Sequence, residues 1–554
     1  MDDFLFDSHS SMKKLLILIF IFPSILCAQF ANSGETPYRW QEPESLNFPS
    51  SNLIADKSNI EKLVQKEDGF YACATVVPAA IRFDQFVLSD VLANGDKIYQ
   101  YLIQSDGALG LRVQFDKLKL SSGSKLWLYN SDKTEFVGPY TASDVQDQKL
   151  MSSIVHGHSA IIMYLEPRNV QSEPFAITEI RHFFRGLKSS AGFRNSQSCM
   201  LNVRCSEGDN HAIERDAVCR ILVSSNSGDG WCTGTLMNNT LENASPIILT
   251  ANHCSERSVL ANLANWEFHF FYESATCSTP FSEPDFYRFR SCDFLAATDQ
   301  DYGSESSDFL LLRLKGVLPD LRSKGFEFTL MGWDRSGSPP RLGVSIHHPE
   351  GDIKKISTYT TQTTIQGYQI PSLNTHFKVN WASTGFDRYS VTQGGSSGSG
   401  LLNTSKLLVG TLTGGASACT TKTEPDFYGR LSSHWRDFGS ANTQRTDVWL
   451  DPAGSGANTL RTIRLNQANG GTGASVSSSF NSSFDMHFSR ESLDLHWQVS
   501  DYSIKLYDVI GRPVIEATSM GKDSKLNISA LSAGIYIVQV SKNEMLYSKK
   551  IHIH

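Results

Sequence analysis

The stretch that decides the fold is Gly394-Gly395-Ser396-Ser397-Gly398, in which a serine lies on a tight turn between glycines. Such a turn can expose the Ser397 hydroxyl while neighbouring backbone N–H groups point at one place. A serine hydroxyl is a weak nucleophile at neutral pH. It needs a base to accept its proton, and the base needs a carboxylate to hold it in the right tautomer. The chain supplies both groups upstream of Ser397.

The base and the carboxylate come from the edges of two apolar segments. His253 directly follows one segment, and Asp308 directly precedes the other. A carboxylate beside an apolar strand is costly unless it is paired, and a histidine N–H is a suitable partner. The order His253, Asp308, Ser397 is the one used by the chymotrypsin-like double β-barrel, whereas other folds reach the same geometry in other orders. The triplet predicts this fold, with the N–H groups of Gly395 and Ser397 holding the oxyanion.

Each of these signals has an ordinary explanation when it is taken alone. Ser397 fits a flexible Gly/Ser loop, His253 fits a structural histidine, and Asp308 fits an exposed turn. The neighbours Ser396 and Ser399 also leave the position of the nucleophile open. Ser397 is favoured because glycine stands two places before it and directly after it, and the three signals together favour catalysis.

A fourth group points to a substrate pocket. Asp426 follows Ser397 along the chain, and an apolar strand-like segment at 408–415 lies between them. A carboxylate at the base of a closed pocket selects a cationic side chain, and losing one partner of such a buried pair typically costs about 2–5 kcal/mol. The sequence leaves open the alternative that Asp426 lies in an exposed loop.

Composition limits the class of protein. A chain of 554 residues is too long for one core, and its many Gly, Ser, Thr and aromatic residues, with little helical periodicity, indicate a mostly β fold. The net charge of -7 is modest and spread along the chain, so we expect no nucleic-acid partner.

The N-terminus carries a secretory signal. Lys13 and Lys14 precede a short apolar run that ends near Ala28, which predicts a signal peptide at 1–28 with its start at Met12. The run is too short for a permanent anchor, so we expect no transmembrane segment once the signal is removed.

The cysteines fit an exported protein. Of the ten, Cys27 leaves with the signal and Cys73 stands alone, while the remaining eight lie in one later stretch. An even number in an oxidising compartment favours disulfides over a metal cluster, since no Cys-x-x-Cys occurs, and the sequence predicts no metal or cofactor. Cys254, beside His253, can bridge to Cys232, which would close a loop of about twenty residues and contribute roughly 3 kcal/mol.

The chain divides into segments of different composition. We expect a β-sandwich-like prodomain at 29–188, a protease domain at 189–465, a flexible linker at 466–480 and a small β-sandwich at 481–554. For the first of these segments, a permanent accessory domain is the alternative.

Further short motifs run through residues 198–465 in a fixed order. They are Cys205-Ser206-Glu207-Gly208-Asp209, Cys232-Thr233-Gly234-Thr235-Leu236, Gly332-Trp333-Asp334-Arg335, His347-His348-Pro349, Asp426-Phe427-Tyr428-Gly429-Arg430 and Trp449-Leu450-Asp451-Pro452. Together they resemble the secreted bacterial lysyl endopeptidases, which are trypsin-like serine proteases that cut after lysine.

This resemblance implies roles for single residues. His253, Asp308 and Ser397 would form the catalytic triad, and Asp426 would select lysine. The resemblance also implies three disulfides, which are Cys199–Cys419, Cys205–Cys277 and Cys232–Cys254. Cys219 and Cys292 are then left over, and we expect them to form a fourth bridge.

The chain departs from the family near the expected pocket. The family pairs a tryptophan with a histidine there, and this chain has Tyr368 at the first position and Thr413 at the second. Gly414 and Gly415 follow as expected pocket-lining residues. Threonine neither stacks nor titrates as histidine does, so the preference for lysine over arginine stays open.

The C-terminal segment has motifs of its own. They are Leu506-Tyr507-Asp508-Val509-Ile510-Gly511, Leu531-Ser532-Ala533-Gly534-Ile535-Tyr536 and Lys549-Lys550-Ile551-His552-Ile553. These motifs resemble the C-terminal sorting domain of the type IX secretion system. The resemblance implies contact with that secretion machinery and a secreted or cell-surface location, whereas a carbohydrate-binding β module is the alternative.

We therefore expect a secreted, monomeric serine endopeptidase that acts on proteins and peptides and cleaves after lysine. A broader trypsin-like protease and a non-catalytic adhesin on a protease fold are the alternatives. Self-cleavage after Lys188 would remove the prodomain and activate the enzyme. Mammalian-type zymogens instead use an aspartate before the nucleophile to pair with a new N-terminus, and Ser396 cannot make that ion pair.

Overall fold

The structure is a computed structural model, and its fold is mostly β, as the sequence predicts. By contacts the chain forms two compact units, one comprising 1–239 and 245–464 and the other 240–244 and 465–554. The signal sequence up to residue 27, Lys188-Ser189 and most of the linker lie outside the described residues. The structure describes residues 28–30, 34–41, 48–65, 70–171, 173, 175–187, 195–255, 260–298, 306–384, 388–468, 484–488, 492–497, 502–508, 513–532, 534–542 and 545–553.

The N-terminal domain, as we call residues 34–187 of the first unit, contains two β-sheets. One sheet has six strands, and the other is continuous with a thirteen-stranded sheet that extends into the protease. Buried apolar side chains from both sheets, such as Ile103 and Val113, form one core between them, which is the predicted sandwich. The α-helix is Lys57–Gln65, and the strands are Ser50–Asn52, Tyr71–Arg82, Val87–Val91, Lys97–Gln104, Gly110–Asp116, Lys125–Tyr129, Phe136–Tyr140, Leu150–Met151, Val155–His156, Ser159–Glu166 and Ala176–Phe183.

The protease part is built mainly on two sheets. One lies within the thirteen-stranded sheet, and the other has ten strands. The strands of the first are Ala28–Phe30, Val218–Ser224, Gly228–Met237, Ile247–Ala251, Glu267–Phe270, Tyr287–Arg290, Cys292–Ala297 and Phe309–Leu314. The strands of the second are Leu201–Asn202, Trp333–Asp334, Gly343–His347, Lys355–Tyr359, Thr364–Gln366, His376–Val379, Gly400–Leu402, Leu408–Gly415, Asp426–Arg430 and Thr459–Leu460. This part also contains four short strands, which are Thr329–Leu330, Ile463–Arg464, Ser383–Thr384 and Arg388–Tyr389. Its α-helices are Ala212–Arg215, Leu431–Arg436 and Asp447–Leu450.

The second unit contains a three-stranded and a four-stranded sheet. Its core includes the buried side chains of Ile504, Leu506, Val538 and Val540, which come from strands Tyr502–Asp508 and Gly534–Lys542. Its strands are Phe484–Phe488, Ser492–Trp497, Tyr502–Asp508, Pro513–Met520, Asp523–Asn527, Gly534–Lys542 and Met545–Ile553.

The N-terminal domain and the protease share one sheet. Strand Tyr71–Arg82 pairs with Ala176–Phe183 on one side and with Gly228–Met237 of the protease on the other. At this junction Arg112 Nη1 donates to Asp229 Oδ2 at 2.6 Å, and the two side chains are 1% and 0% exposed. Removing one partner of such a buried pair costs about 3–5 kcal/mol. The N-terminal domain is therefore docked through backbone pairing and a buried charge, in addition to the covalent chain.

A histidine also spans the junction. His156 Nδ1 lies 2.7 Å from Glu135 Oε2 in the N-terminal domain, and Nε2 lies 3.7 Å from Glu283 Oε2 in the protease. Burial opposes protonation, but the two carboxylates outweigh it and raise the pKa of His156 to about 9. The three side chains have the spacing of a metal site. The positive charges of Arg220 and Arg288 act on the same cluster, however, and disfavour a metal ion there.

We predict that His156 makes the stability depend on pH. Because folding raises its pKa above the ordinary 6.5, its contribution is complete below pH 6.5 and is lost as the pH rises through about 9. Urea denaturation across this range should show that loss in the wild type and not in His156→Gln. The control is His158→Gln, at an exposed histidine two residues along the chain. This variant should keep the loss of stability as the pH rises. An unchanged pH profile in His156→Gln would contradict this role.

Candidate active site

Strand pairing brings His253 and Asp308 together. Strands Ile247–Ala251 and Phe309–Leu314 are antiparallel, so the chain leaving the first lies beside the chain entering the second. His253 Nδ1 lies 2.6 Å from Asp308 Oδ2, and the His253 backbone N–H donates to Asp308 Oδ1 at 2.9 Å. The two side chains are 11% and 2% exposed. The carboxylate thus holds the imidazole at Nδ1, and Nε2 is the nitrogen that can accept a proton.

The backbone at Asp308 is held in an uncommon conformation. Ser307 and Asp308 have φ angles of 78° and 56°, a region that non-glycine residues rarely adopt and that is concentrated at functional sites. The Asn252 N–H donates to the Asp308 carbonyl at 3.2 Å, and His434 Nε2 donates to the Ser307 carbonyl at 2.9 Å. Burial lowers the pKa of His434 to about 3, so this histidine is a neutral donor. No motif in the sequence points to His434.

Ser397 lies against the segment that carries His253. The Thr233 N–H donates to the Ser397 carbonyl at 2.9 Å, and the Cys254 sulfur lies 3.9 Å from the same oxygen. The Cys232–Cys254 disulfide joins the residue before Thr233 to the residue after His253. The bridge therefore fixes the segment of Ser397 and the segment of His253 to each other.

The three candidate serines differ in exposure. Ser396 is fully buried with its Oγ 2.7 Å from His347 Nδ1, and Ser399 is fully buried with its Oγ 3.2 Å from Ser345 Oγ. Ser397 is partly exposed. Within the described residues no hydrogen bond joins its hydroxyl to the imidazole, and in unliganded sites such bonds are often long and tighten when substrate binds. Ser397 is thus the serine that a substrate can reach.

Two backbone N–H groups flank this turn without an intrachain acceptor. In the described part of the chain, those of Gly395 and Ser397 donate to none, whereas that of Ser396 between them donates to the Gln393 carbonyl. Gly395 has a φ of 87°, and a Cβ there would lie 2.9 Å from the Glu350 nitrogen, so the position requires glycine. An oxyanion hole needs two unused donors of this kind beside an accessible serine.

Asp426 is a buried carboxylate without a cation. It is 1% exposed, which excludes an exposed loop position. Its Oδ2 accepts hydrogen bonds of 2.6 Å from Trp381 Nε1, Thr392 Oγ1 and Ser417 Oγ. Burial raises the pKa of Asp426 above its ordinary value, and the hydrogen bonds from these donors oppose that rise. Among the residues that the structure describes, no lysine, arginine or histidine forms an ion pair with it.

Gly415 keeps the second carboxylate oxygen accessible. It pairs with Asp426 across neighbouring strands, and a Cβ on it would lie 2.1 Å from Asp426 Oδ1. The contact from the chain to Oδ1 is the Ser417 N–H at 3.4 Å. A side chain at position 415 would therefore fill the space in front of Oδ1.

This chain has Thr413 where the family has a histidine, but a histidine from another strand, His376, lies beside it. Thr413 Oγ1 lies 3.0 Å from His376 Nε2, and the Tyr368 ring lies against the same imidazole with centroids 6.1 Å apart. Burial lowers the pKa of His376 to about 4 while the Asp308 charge raises it, so His376 is neutral at neutral pH. Tyr368 also faces Gly414, where a Cβ would lie 3.0 Å from its hydroxyl. Sequence reasoning missed His376, because it comes from a separate strand.

The structure contains three of the four expected disulfides. They are Cys199–Cys419, Cys205–Cys277 and Cys232–Cys254. The fourth, between Cys219 and Cys292, is wrong, because both residues are buried free thiols whose pKa is raised by burial. Cys219 lies in strand Val218–Ser224 and Cys292 in strand Cys292–Ala297, and these strands pair with other strands rather than with each other. A disulfide needs Cα atoms within about 7 Å.

Known proteins match two parts of this chain. Residues 193–429 match the family described as lysyl endopeptidase, C-terminal domain, and residues 489–554 match the secretion system C-terminal sorting domain. A lysyl endopeptidase of Pseudomonas aeruginosa is 26% identical over 370 residues, which cover 63% of this chain and 75% of the relative.

Solved structures of proteases overlap with about two fifths of the chain. One is the thermostable protease AL20 from an extremophilic microorganism, at 14% identity and a TM-score of 0.28 over 42% of this chain and 97% of its own. Another is the protease Anisep from Arthrobacter nicotinovorans, at 14% identity and a TM-score of 0.29 over 42% of this chain and 95% of its own.

The protein is a serine endopeptidase. More closely, residues 193–429 are similar to the C-terminal domain of the lysyl endopeptidases and residues 489–554 to the sorting domain of the type IX secretion system, which confirms both resemblances. The sorting domain implies contact with secretion machinery and makes this a secreted or cell-surface protein. In the described part of the chain no helix is both long and apolar enough to cross a membrane.

Proposed function

We propose that the protein cleaves peptide bonds on the carboxyl side of lysine. The observation that carries this proposal is the buried carboxylate of Asp426, which has neutral donors around it and no cationic partner among the described residues. A buried charge without an opposite charge is unfavourable. The ammonium group of a substrate lysine supplies that charge when it enters the pocket.

The hydrogen bonding of Asp426 favours lysine over arginine. Oδ2 already accepts three hydrogen bonds, so Oδ1, opposite Gly415, is the oxygen with unused lone pairs. A guanidinium binds best through two parallel bonds to both carboxylate oxygens, whereas an ammonium acts as a compact point charge. One available oxygen therefore suits an ammonium better than a guanidinium.

The proposed reaction is acyl transfer through Ser397. Its hydroxyl attacks the carbonyl carbon of the substrate lysine while His253 Nε2 accepts the proton. Asp308 holds Nδ1–H and stabilises the imidazolium. The N–H groups of Gly395 and Ser397 bind the oxyanion, and each such donor contributes about 10²–10³ in rate. The imidazolium then protonates the leaving amine, and water, deprotonated by His253, hydrolyses the acyl-enzyme.

Asp426→Asn should remove the preference for lysine. The substitution keeps the shape of the side chain and removes the charge, so we expect kcat/KM for a lysine peptide to fall between about 30-fold and several thousand-fold, as about 2–5 kcal/mol implies. The measurement compares matched peptides with lysine, arginine or methionine before the scissile bond. The control is Glu424→Gln, which changes an exposed acid two residues before Asp426 and should alter kcat/KM for none of the three peptides.

Two outcomes of this experiment decide the proposal. In the wild type, kcat/KM for lysine should exceed that for arginine by more than about tenfold, because a single free oxygen disfavours the guanidinium. Equal rates for the two peptides would instead assign a broader trypsin-like specificity. If Asp426→Asn lowers kcat/KM for the methionine peptide as much as for the lysine peptide, the substitution has damaged the enzyme in general. That outcome would contradict a role for Asp426 in recognising the substrate's charge.

The same specificity would allow the enzyme to cut its own chain after Lys188. The chain just before this site is anchored, because Leu187 is 3% exposed and Arg185 Nε donates to the Ala72 carbonyl at 2.7 Å. We propose that this cut occurs and that it leaves the N-terminal domain docked, since the shared sheet and the Arg112–Asp229 pair do not depend on the peptide link.

A further inference from the structure

Tyr71 of the N-terminal domain lies on the loop that leads to Ser397. It pairs in register with Trp231 of the protease, and its ring packs on Gly394, where a Cβ would lie 2.7 Å from Tyr71 Cδ2. Its hydroxyl donates to Glu350 Oε2 at 3.2 Å. A residue of the N-terminal domain thus contacts the position directly before Gly395, one of the two proposed oxyanion donors.

Glu350 connects Tyr71 to the backbone of that loop. Its N–H donates to the Gly394 carbonyl at 2.6 Å, and Gln393 Nε2 donates to its Oε1 at 3.2 Å. Its own φ is 53°, which an L-residue adopts only when its surroundings hold it there. Burial raises the pKa of Glu350, while the Tyr71 hydroxyl and the charge of Arg185 lower it. The N-terminal domain therefore helps to keep this carboxylate charged and in place.

The orientation of the Gly394 carbonyl decides where the Gly395 N–H points. In a trans peptide unit the C=O and the following N–H point in opposite directions. Holding the Gly394 oxygen on the Glu350 nitrogen therefore turns the Gly395 N–H to the other side, where it donates to no acceptor in the described part of the chain. Rotation of this one peptide unit would replace the donor with a carbonyl oxygen, and glycines on both sides leave the rotation sterically open.

Arg185 fixes the Tyr71 ring from its other side. The guanidinium carbon lies 4.1 Å from the ring centroid, and Arg185 Nε donates to the Ala72 carbonyl, the next residue along the same strand. Tyr71 is thus held by the strand pairing, by the guanidinium and by Glu350. These contacts leave the ring little freedom to withdraw from Gly394.

We propose that Tyr71, acting through Glu350, is a positioning residue that keeps the oxyanion loop in its working orientation. The N-terminal domain is then a functional part of the enzyme, and the docked domain supports catalysis. This inference rests on the proposed role of Gly395 and Ser397. It opposes the expectation that removal of the domain activates the enzyme, and the two accounts predict effects of opposite sign.

The test is the rate at which a fluorescent fluorophosphonate labels the full-length chain. The probe reacts with the active-site serine and places an oxygen where the oxyanion forms, and a denaturing gel separates full-length from processed chains. We expect the full-length wild type to be labelled, and Tyr71→Ala to be labelled about tenfold more slowly, because part of the contribution of the Gly395 N–H to the oxyanion hole is lost. The labelling rate of Tyr71→Phe should lie between the two. With a lysine peptide, kcat should fall and KM should stay unchanged.

Controls separate positioning from stability. Like Tyr71→Phe, the variant Tyr99→Phe removes one tyrosine hydroxyl, but Tyr99 packs against other aromatic rings inside the N-terminal domain. It should be labelled at the wild-type rate. Thermal unfolding checks that each variant is folded, and if Tyr71→Ala is not, Tyr71→Phe decides because it keeps the ring. Equal or faster labelling of full-length Tyr71 variants, or labelling confined to processed chains, would overturn the inference. Absence of Ser397-dependent labelling in every wild-type band would instead refute the proposed function.

Discussion

Ser397→Ala should lower kcat/KM for a lysine peptide by about 10⁶-fold, which is the size of effect expected when the nucleophile of such a triad is removed. The fold should be unaffected, because Ser397 is partly exposed and its backbone carbonyl, which accepts from Thr233, is retained. Steady-state kinetics with that lysine peptide give the rate, and thermal unfolding gives the stability.

The neighbouring serines serve as matched controls for this result. Ser396 and Ser399 are buried and bonded to His347 and Ser345, so their alanine variants change packing rather than chemistry. Residual activity in Ser397→Ala within about tenfold of wild type, or a loss of 10⁶-fold confined to Ser396→Ala or Ser399→Ala, would move the nucleophile to another residue.

Asp308→Asn should lower kcat by about 10⁴-fold, because the wrong imidazole tautomer then faces the serine. The carboxylate accepts from the His253 backbone N–H through Oδ1 and from the ring through Oδ2, and it balances the imidazolium charge. An amide offers one acceptor and one donor, so one of these two hydrogen bonds is lost. The measurement is the pH profile of kcat together with labelling by the fluorophosphonate.

The control for this variant is Asp293→Asn. Asp293 lies on the neighbouring strand, is half exposed and pairs with Lys315, so its loss should leave kcat unchanged. A kcat of Asp308→Asn within about tenfold of wild type would show that another group orients the imidazole.

The sequence is informative where chemistry requires a residue type in a fixed chain order. His253, Asp308 and Ser397 could be proposed because a nucleophile, a base and a carboxylate flank apolar segments in one order. Asp426 could be proposed because it follows the strand that lines the expected pocket. The mostly β fold followed from composition and alternation, and the structure has it.

The remaining features depend on contacts between distant segments, for which the sequence has no local pattern. Trp381, Thr392 and Ser417 meet at one oxygen of Asp426 from separate places in the chain. His376 reaches Thr413 from another strand. These positions follow from strand pairing, which spacing alone does not determine.

The cysteines show the same limit in a different way. Counting left Cys219 and Cys292 as an obvious pair, but their strands are not neighbours in the sheet. The contact of Tyr71 with Gly394 likewise arises from pairing of strands Tyr71–Arg82 and Gly228–Met237. No motif in the N-terminal domain indicates that it reaches the active site.

The most direct measurement is the site of covalent attachment of the fluorophosphonate, read by mass spectrometry of the digested protein. The probe should be found on the Ser397 hydroxyl alone, and attachment should disappear in Asp308→Asn at short reaction times and in Ser397→Ala at all times. Attachment to Ser396 or Ser399, or no attachment to a folded wild-type protein, would contradict a nucleophile at Ser397.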